Sequence, residues 1–336
     1  MPPVPPPGPP TRRFAAPAFW FRDGWLAKLL APLSVVGAAV TARRVGRRGW
    51  RAPVPVICCG NVTVGGAGKT TVVLDLARRL TERGQAVHIL LRGYGGSSRG
   101  TRLVVAGDTA AEVGDEALLL AAVAPTWTGA DRAASALAAY VAGATVLLMD
   151  DGLQNPGLCK DFSLLVVDGA TGFGNGRVLP AGPLREPVAV GAARCQAAVV
   201  IGPPLPLPPG LPVLHATLVQ TPEIAALRGK RVLAFAGIAY PDKFFAPLIA
   251  AGAEVVAQVP FPDHFAYARP QLEALLTQAA RLDAIPVTTP KDAVRLPADI
   301  RALVTVIGVG LAWSDEAALN ALLDGIVRPR QTGMEK

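Results

Sequence analysis

Residues 60–71 read G-N-V-T-V-G-G-A-G-K-T-T, directly after the apolar run 54–59 and directly before a helical pattern at 70–83. This order of parts constrains the chain more than any other feature. A buried strand must run into a glycine-rich turn, whose backbone N–H groups point inward at a phosphate because no Cβ blocks its approach. The following helix adds the partial positive charge of its N-terminus. Lys69 is placed to reach β- and γ-phosphates and the Thr70 hydroxyl to hold Mg²⁺. Thr63, Gly65, Gly66, Ala67, Gly68, Lys69, Thr70 and Thr71 are therefore the candidate nucleotide contacts. The usual G-x-x-x-x-G-K-[ST] pattern is broken at one position, where Thr63 replaces the first glycine. The implied ligand is a nucleoside triphosphate.

From residue 54 onward, apolar strand-like runs alternate with helical patterns, which predicts an α/β fold of the P-loop type: a parallel sheet with helices on both faces. Strands are expected at 86–91, 145–149 and 163–168, and helices at 115–123 and 131–142. The segment 202–212 begins G-P-P-L-P-L-P-P-G and can form neither helix nor central strand. It reads as a linker between a P-loop domain at 52–201 and a second, smaller α/β domain at 213–336. In the latter, strands are expected at 232–236, 254–260, 285–288 and 303–309, with helices at 241–251 and 270–282.

Charge is informative through its placement. The net +8 of the 336 residues is carried by residues 1–51, where nine Lys/Arg face the single acid Asp23. The remainder is balanced, which argues against a nucleic-acid partner. A Pro-rich tail at 2–10 is expected to be disordered or polyproline-like. Phe14, Phe19, Trp20, Phe21 and Trp25 precede a mostly apolar stretch at 26–40, interrupted by Lys28, Pro32, Ser34 and Gly37. Arg43, Arg44, Arg47 and Arg48 follow. The apolar part is shorter than the ~20 residues of a spanning helix, so the prediction is an amphipathic helix lying on an anionic membrane surface. A cleaved leader is opposed by the arginines after the apolar run; an ordinary core helix is the other alternative. Cys58, Cys59, Cys159 and Cys195 show no metal-ligand spacing and suit a reducing compartment.

Two acids, Asp150 and Asp151, end the buried strand at 145–149, the position from which a strand aims a carboxylate at the crevice where a P-loop opens. Asp115-Glu116 follows Gly114 at a helix start, where acids are also favoured for purely local reasons. His264, in P-D-H-F, is one of three histidines and has no sequence neighbour that assigns it a role.

Taken together, these segments resemble one family. G-N-V-T-V-G-G-A-G-K-T at 60–70, L-R-G-Y-G at 91–95, G-D-E-A at 114–117 and D-D-G-L-Q at 150–154 carry the resemblance. So do F-G-N-G-R-V-L-P-A-G-P-L-R-E-P at 173–187, F-P-D-H-F at 261–265 and T-T-P-K-D-A-V-R-L at 288–296. The chain is similar to tetraacyldisaccharide 4'-kinase, the lipid A 4'-kinase, from about residue 19 to the final helix. The resemblance implies ATP and Mg²⁺ as cofactors and a tetraacyldisaccharide 1-phosphate as the lipid A precursor acceptor. It also implies a place on the cytoplasmic face of the bacterial inner membrane, peripheral or monotopic. Asp151 and Glu186 match acids near the metal, with Asp150 beside them and Thr70 as the hydroxyl ligand. Asp115 matches the family's proposed general base, with Glu116 next to it and His264 as its partner. Gln154, Arg132 and Arg185 match other active-site positions, the arginines suited to phosphate charge.

The chain departs from the family where Asn155 replaces a frequent His, Pro290 an acid and Thr71 a Pro. A membrane-associated P-loop switch or chaperone ATPase would also account for the loop, the Asp pair and the basic end. It leaves residues 173–187 and the His264 segment without a purpose.

Overall fold

The computed structural model describes residues 16–327. The Pro-rich tail expected at 2–10, with Arg12, Arg13 and Phe14, lies outside them. Among the described residues, nine strands form one sheet and four form another. The strands are β1 (Val56–Gly60), β2 (Val87–Leu91), β3 (Arg102–Leu103), β4 (Thr126–Thr128), β5 (Val146–Asp150), β6 (Phe162–Asp168) and β7 (Ala197–Ile201). They continue with β8 (Val213–Gln220), β9 (Arg231–Ala236), β10 (Glu254–Pro260), β11 (Ile285–Thr288), β12 (Thr305–Val306) and β13 (Val309–Trp313).

The large sheet has the order β13-β8-β7-β6-β1-β5-β2-β4-β3. Its central pairs are parallel, and the edge pairs β3/β4 and β8/β13 are antiparallel. β1 and β5 are buried along their whole length, as parallel strands covered on both faces must be. Alternate residues serve opposite cores. Ile57, Cys59 and Leu148 face the helices Lys69–Glu82, Asp115–Ala121 and Glu316–Val327. Cys58, Leu147 and Met149 face the helix Arg132–Val141. The expected α/β architecture with helices on both faces is thus present, and Cys58 and Cys59 are core residues.

The division of the chain differs from the expectation of a new unit beginning at 213. The Pro-rich segment is a loop between β7 and β8, and β8 pairs in parallel with β7. The chain then leaves the large sheet after Gln220, builds a small unit, and returns as β13, antiparallel to β8. The stretch expected as one strand at 303–309 is split between the sheets, β12 in the small one and β13 in the large one. Proline punctuates a chain, but it does not decide which sheet the next strand joins. The inserted unit is a parallel sheet β10-β9-β11-β12. Phe244, Phe245 and Leu248 of the helix Asp242–Ala250 cover one face, and Leu272 and Leu275 of the helix Arg269–Arg281 cover the other. Its two connections to the large sheet lie side by side: Thr221 N donates to Gly308 O (3.0 Å) and Gly308 N to Thr221 Oγ1 (3.1 Å).

The N-terminal helix also differs. It runs unbroken over Trp25–Val45, 21 residues, with Pro32 inside it. Apolar side chains surround it rather than forming one face: Trp25, Leu29, Leu33, Val35, Val36 and Val40 are all exposed. By length and composition it is able to cross a membrane, and only 11% of its apolar window is buried. The residues that looked like interruptions make its contact with the body. Ser34 Oγ donates to Val178 O (2.6 Å) and accepts from Ala181 N (3.3 Å). A Cβ on Gly37 would lie 3.1 Å from Leu179 O, so glycine allows the close approach there. The preceding turn, Ala18–Phe21, is held on the same 173–187 segment by Asn175 Nδ2 donating to Phe19 O (3.1 Å) and Trp20 Nε1 to Pro180 O (3.2 Å).

Candidate active site

β1 delivers the chain into the loop 61–68, and the helix Lys69–Glu82 starts from it. Gly65 and Gly68 have φ of 114° and 80°, in the left-handed region that glycine favours. Nothing lies within 4 Å of where a Cβ would sit on Gly65 or Gly66, so the loop's concave side is open. Thr63 takes a place unsuited to a free glycine. Its backbone bridges Leu184, and its Oγ1 accepts from Asn61 Nδ2 (3.0 Å). Val64 N donates to Pro183 O (2.8 Å) and Arg185 N to Val62 O (2.7 Å). The 173–187 segment therefore braces the outer arm of the phosphate loop.

The two acids at the end of β5 have separate partners. Asp150, 3% exposed, accepts from Thr70 Oγ1 at Oδ2 (3.1 Å), while its Oδ1 is buried with no hydrogen-bond partner. Burial, reinforced by the charge of Glu116, pushes its carboxyl up to about 7. Asp151, at φ 51°, turns the other way. It accepts from both terminal nitrogens of Arg185 (2.8 and 3.0 Å), and Lys69 Nζ lies 3.5 Å from Oδ1. Burial acts to raise its pKa, but Lys69 and Arg185 outweigh it and hold the group below the ordinary carboxylate value.

Gln154 joins these parts. Its Nε2 donates to Asn61 O (2.8 Å) and to Glu186 Oε1 (2.7 Å), and its Oε1 accepts from Arg185 Nη1 (3.3 Å). Glu186 also accepts from Arg194 Nη2 (2.7 Å). Its carboxylate is thus turned to Gln154 and Arg194, and it is linked to Asp151 only through Gln154 and Arg185. Among the described residues no group of three or more His, Cys, Asp or Glu forms a metal cage. Mg²⁺ does not need one, because it is commonly held by one or two carboxylates with waters and phosphate oxygens. Thr70 Oγ1 and the unpartnered Asp150 Oδ1 are hard oxygen donors side by side, and they fit that ion.

Arg132 opens its helix behind the N-cap Asp131 and is buried, with Nη1 donating to Gly129 O and Nε unpartnered. Burial, together with the charge of Arg92, lowers it to about 10. Such a guanidinium gains by meeting an anion.

Asp115, expected beside His264, is found there. Its Oδ2 lies 2.9 Å from His264 Nδ1, and its Oδ1 accepts from Glu116 N (3.0 Å). Glu116 in turn lies 3.6 Å from Lys291 Nζ of the inserted unit. A partner missed in the sequence completes the cluster: Arg295 Nη2 donates to the same Asp115 Oδ2. The Arg295 side chain, 5% exposed, also reaches Asp292 Oδ1 (3.2 Å) and Gly237 O (3.1 Å). Asp292 is fully buried and accepts from Tyr267 Oη (2.8 Å) and Gly237 N (2.9 Å). Burial acts to raise the pKa of Asp115, but His264 and Arg295 hold it far below the usual carboxylate range. The hydrogen bond to Asp115 raises His264 despite its partial burial. The one signal for Arg295 was its place in T-T-P-K-D-A-V-R-L. There Pro290 takes the first helical position after the N-cap Thr289, a site that suits proline. Asn155 closes an Asx turn through Gly157 N (2.9 Å).

Comparison with known proteins bears on this arrangement. The profile of the family described as tetraacyldisaccharide-1-P 4'-kinase matches residues 26–328. Tetraacyldisaccharide 4'-kinase of Gluconacetobacter diazotrophicus is 57% identical over 317 residues, covering 92% of this chain and 97% of the relative. That of Rhodospirillum centenum is 56% identical over 321 residues, covering 92% and 95%. Among solved structures, LpxK from Aquifex aeolicus in complex with ATP superposes with a TM-score of 0.73 at 27% identity, covering 90% of this chain and 100% of that one.

Proposed function

The chain belongs to the tetraacyldisaccharide-1-P 4'-kinase family, and we propose that it carries out that reaction in lipid A biosynthesis. The γ-phosphate of ATP is transferred to the 4'-hydroxyl of a tetraacyl glucosamine disaccharide 1-phosphate. One observation carries the reading. Asp115 of the P-loop unit and His264 of the inserted unit meet at 2.9 Å, in the same site as a phosphate loop whose Lys69 and Thr70 are engaged by Asp151 and Asp150.

Phosphoryl transfer asks for positioning and charge neutralisation more than for covalent chemistry. The loop amides and Lys69 hold the β- and γ-phosphates, and Arg185 and Arg132 stand by for charge that moves outward in the transition state. Thr70 and Asp150 would hold Mg²⁺, which when bound would supply charge neutralisation at the transferring phosphate. Asp151 keeps Lys69 and Arg185 aimed, and Glu186 orients Gln154. Asp115 accepts the proton of the acceptor hydroxyl. Its low basicity suits a loose transition state in which that proton departs late, and His264 shares it, so the two titrate as a pair.

The helix Trp25–Val45 seats the protein on the cytoplasmic face of the inner membrane, where the lipid acceptor resides. Arg43, Arg44, Arg47 and Arg48 at its end meet anionic headgroups.

The test is a mass spectrum of the lipid after incubation with ATP and Mg²⁺. A gain of one phosphate on the disaccharide is expected. ATP hydrolysis with an unmodified lipid would favour a switch ATPase instead. Asp115→Asn is expected to lose nearly all turnover while nucleotide binding persists, and a wild-type kcat in that variant would remove Asp115 as the base.

A further inference from the structure

At the carboxyl end of the small sheet, the neighbouring strands β9 and β11 send their chains to opposite faces. After β9 the helix Asp242–Ala250 packs on one face, and after β11 Leu296 and Ile300 pack on the other. Such a divergence opens a crevice between the two strand ends, the place where open α/β sheets take a ligand. In this chain the crevice is filled from within by the carboxylate of Asp292, which is fully buried. Its Oδ1 accepts from Gly237 N (2.9 Å), Tyr267 Oη (2.8 Å) and Arg295 Nη1 (3.2 Å), and its Oδ2 from Thr289 Oγ1 (2.6 Å). An acid that only caps a short helical turn needs no more than the Thr289 contact. Gly237 and Tyr267, 55 and 25 residues away in sequence, give Asp292 a second task.

That task is visible in what its partners hold. Arg295, 5% exposed, is the cation that pairs this buried charge, as a carboxylate withdrawn from water requires. Its guanidinium is shared, with Nη1 on Asp292 Oδ1 and Gly237 O and Nη2 on Asp115 Oδ2. Gly237 O also accepts from His264 N (3.2 Å). That bond fixes a residue at φ 57°, a left-handed backbone that a histidine adopts at a cost. Both side chains that meet Asp115 Oδ2 are therefore held from one point. Asp292 grips Arg295 directly, and it grips His264 through Gly237, whose N–H it binds.

We propose that Asp292 is a positioning residue for the reaction, acting through Arg295 and Gly237 to hold the guanidinium and the imidazole in one fixed arrangement about Asp115. Its kinetic consequence rests on the kinase reading above, whereas its effect on His264 does not.

The test is a double-mutant cycle of Asp292→Asn and Arg295→Gln in the full chain, read by steady-state kinetics and by NMR titration of the His264 imidazole. Asparagine keeps the shape of Asp292 and removes the charge that anchors Arg295. Asp292→Asn is expected to lower kcat roughly ten- to hundredfold with the KM for ATP unchanged, since Lys69 and Thr70 are untouched. The double variant should lose less than the product of the two single losses, because both act on the same guanidinium. The charged groups facing the imidazole are Asp115 and Asp263, which raise its pKa, and Arg295, which lowers it. Releasing Arg295 should therefore move the His264 midpoint upward in Asp292→Asn, as it does in Arg295→Gln. Losses that multiply in full, or an unmoved His264 midpoint in a folded variant, would overturn the proposal. Should Asp292→Asn fail to fold, Tyr267→Phe removes one bond to Asp292 and keeps the ring against Phe235, Phe261 and Phe265. The same two changes are expected there at smaller amplitude, and wild-type kcat with an unmoved His264 would again refute it. The titration needs no turnover: a shifted midpoint sustains the positioning role even if no acceptor is phosphorylated. Lost turnover with an unmoved midpoint refutes that role and leaves the kinase reading standing.

Discussion

Asp150→Asn is expected to make the nucleotide-free protein more stable while destroying its Mg²⁺-dependent turnover. The carboxyl of Asp150 is moved from its ordinary value near 3.8 to about 7, and burial is the main cause. At about 1.4 kcal/mol per pH unit between those values, ionised Asp150 costs the folded protein about 4 kcal/mol. No discount for solvent screening applies, because the side chain is almost fully buried and its Oδ1 has no partner. The sign follows from which state binds the proton. Below the unfolded value, folded and unfolded chains are both protonated and the group is neutral toward stability. Between pH ~4 and ~7 only the folded chain holds the proton, so wild-type stability falls as pH rises, and above ~7 the loss is complete. Asparagine keeps the Thr70 contact through its carbonyl but leaves an amide N–H₂ unpaired, a cost of about 1–3 kcal/mol. The net gain is then about 1–3 kcal/mol at pH ~8 and vanishes or reverses near pH ~4. Thermal unfolding across that range checks it: the Tm difference should grow with pH by several degrees and level off above neutrality. Added Mg²⁺ and ATP should raise the wild-type Tm more than the variant's. A Tm difference independent of pH would refute the reasoning, since Asp150 would then not be a buried group that gains a proton on folding.

Arg295→Gln removes a buried ion pair and is expected to cost about 2–4 kcal/mol at neutral pH, measured by denaturant unfolding. Because Asp115 is depressed in the folded state, the stability it draws from Arg295 is present above its unfolded value of ~3.9 and fades as pH falls further toward the folded value. A cost that stays constant into acid would show that the pair with Asp115 is not its source. Removing residues 1–50 should weaken co-sedimentation with anionic vesicles, and unchanged sedimentation would sink the anchoring role of the helix Trp25–Val45.

The phosphate loop was legible because its parts are contiguous: strand, glycines and helix follow one another without interruption from Val56 to Glu82, and each is specified by its own local chemistry. Asp150 was legible for the same reason, as the acid ending a fully apolar strand. Other parts depend on contacts distant in sequence. His264 carried no local signal and was placed only through a family resemblance. Arg295 was not singled out, because its partner Asp115 is 180 residues away and an arginine in a helical turn reads as a solvated charge. In the helix Trp25–Val45, Ser34 and Gly37 do the opposite of what their residue types suggest. A hydroxyl and a missing side chain look like breaks in an apolar run, yet they are the points at which the helix meets Val178 and Leu179. Strand β8 belongs to the large sheet despite the Pro-rich segment before it, because a strand's own residues do not name its neighbour in a sheet.

The double neck at Thr221 and Gly308 has a consequence for the order of events at Asp115. Both chain crossings lie together and are cross-linked by two hydrogen bonds, so the covalent connections of the inserted unit lie along a single edge. His264 and Arg295 lie beyond that edge, and any swing about it carries both of them. A rigid swing about that edge would therefore take the imidazole that shares the proton of Asp115 and the guanidinium that suppresses its basicity away together.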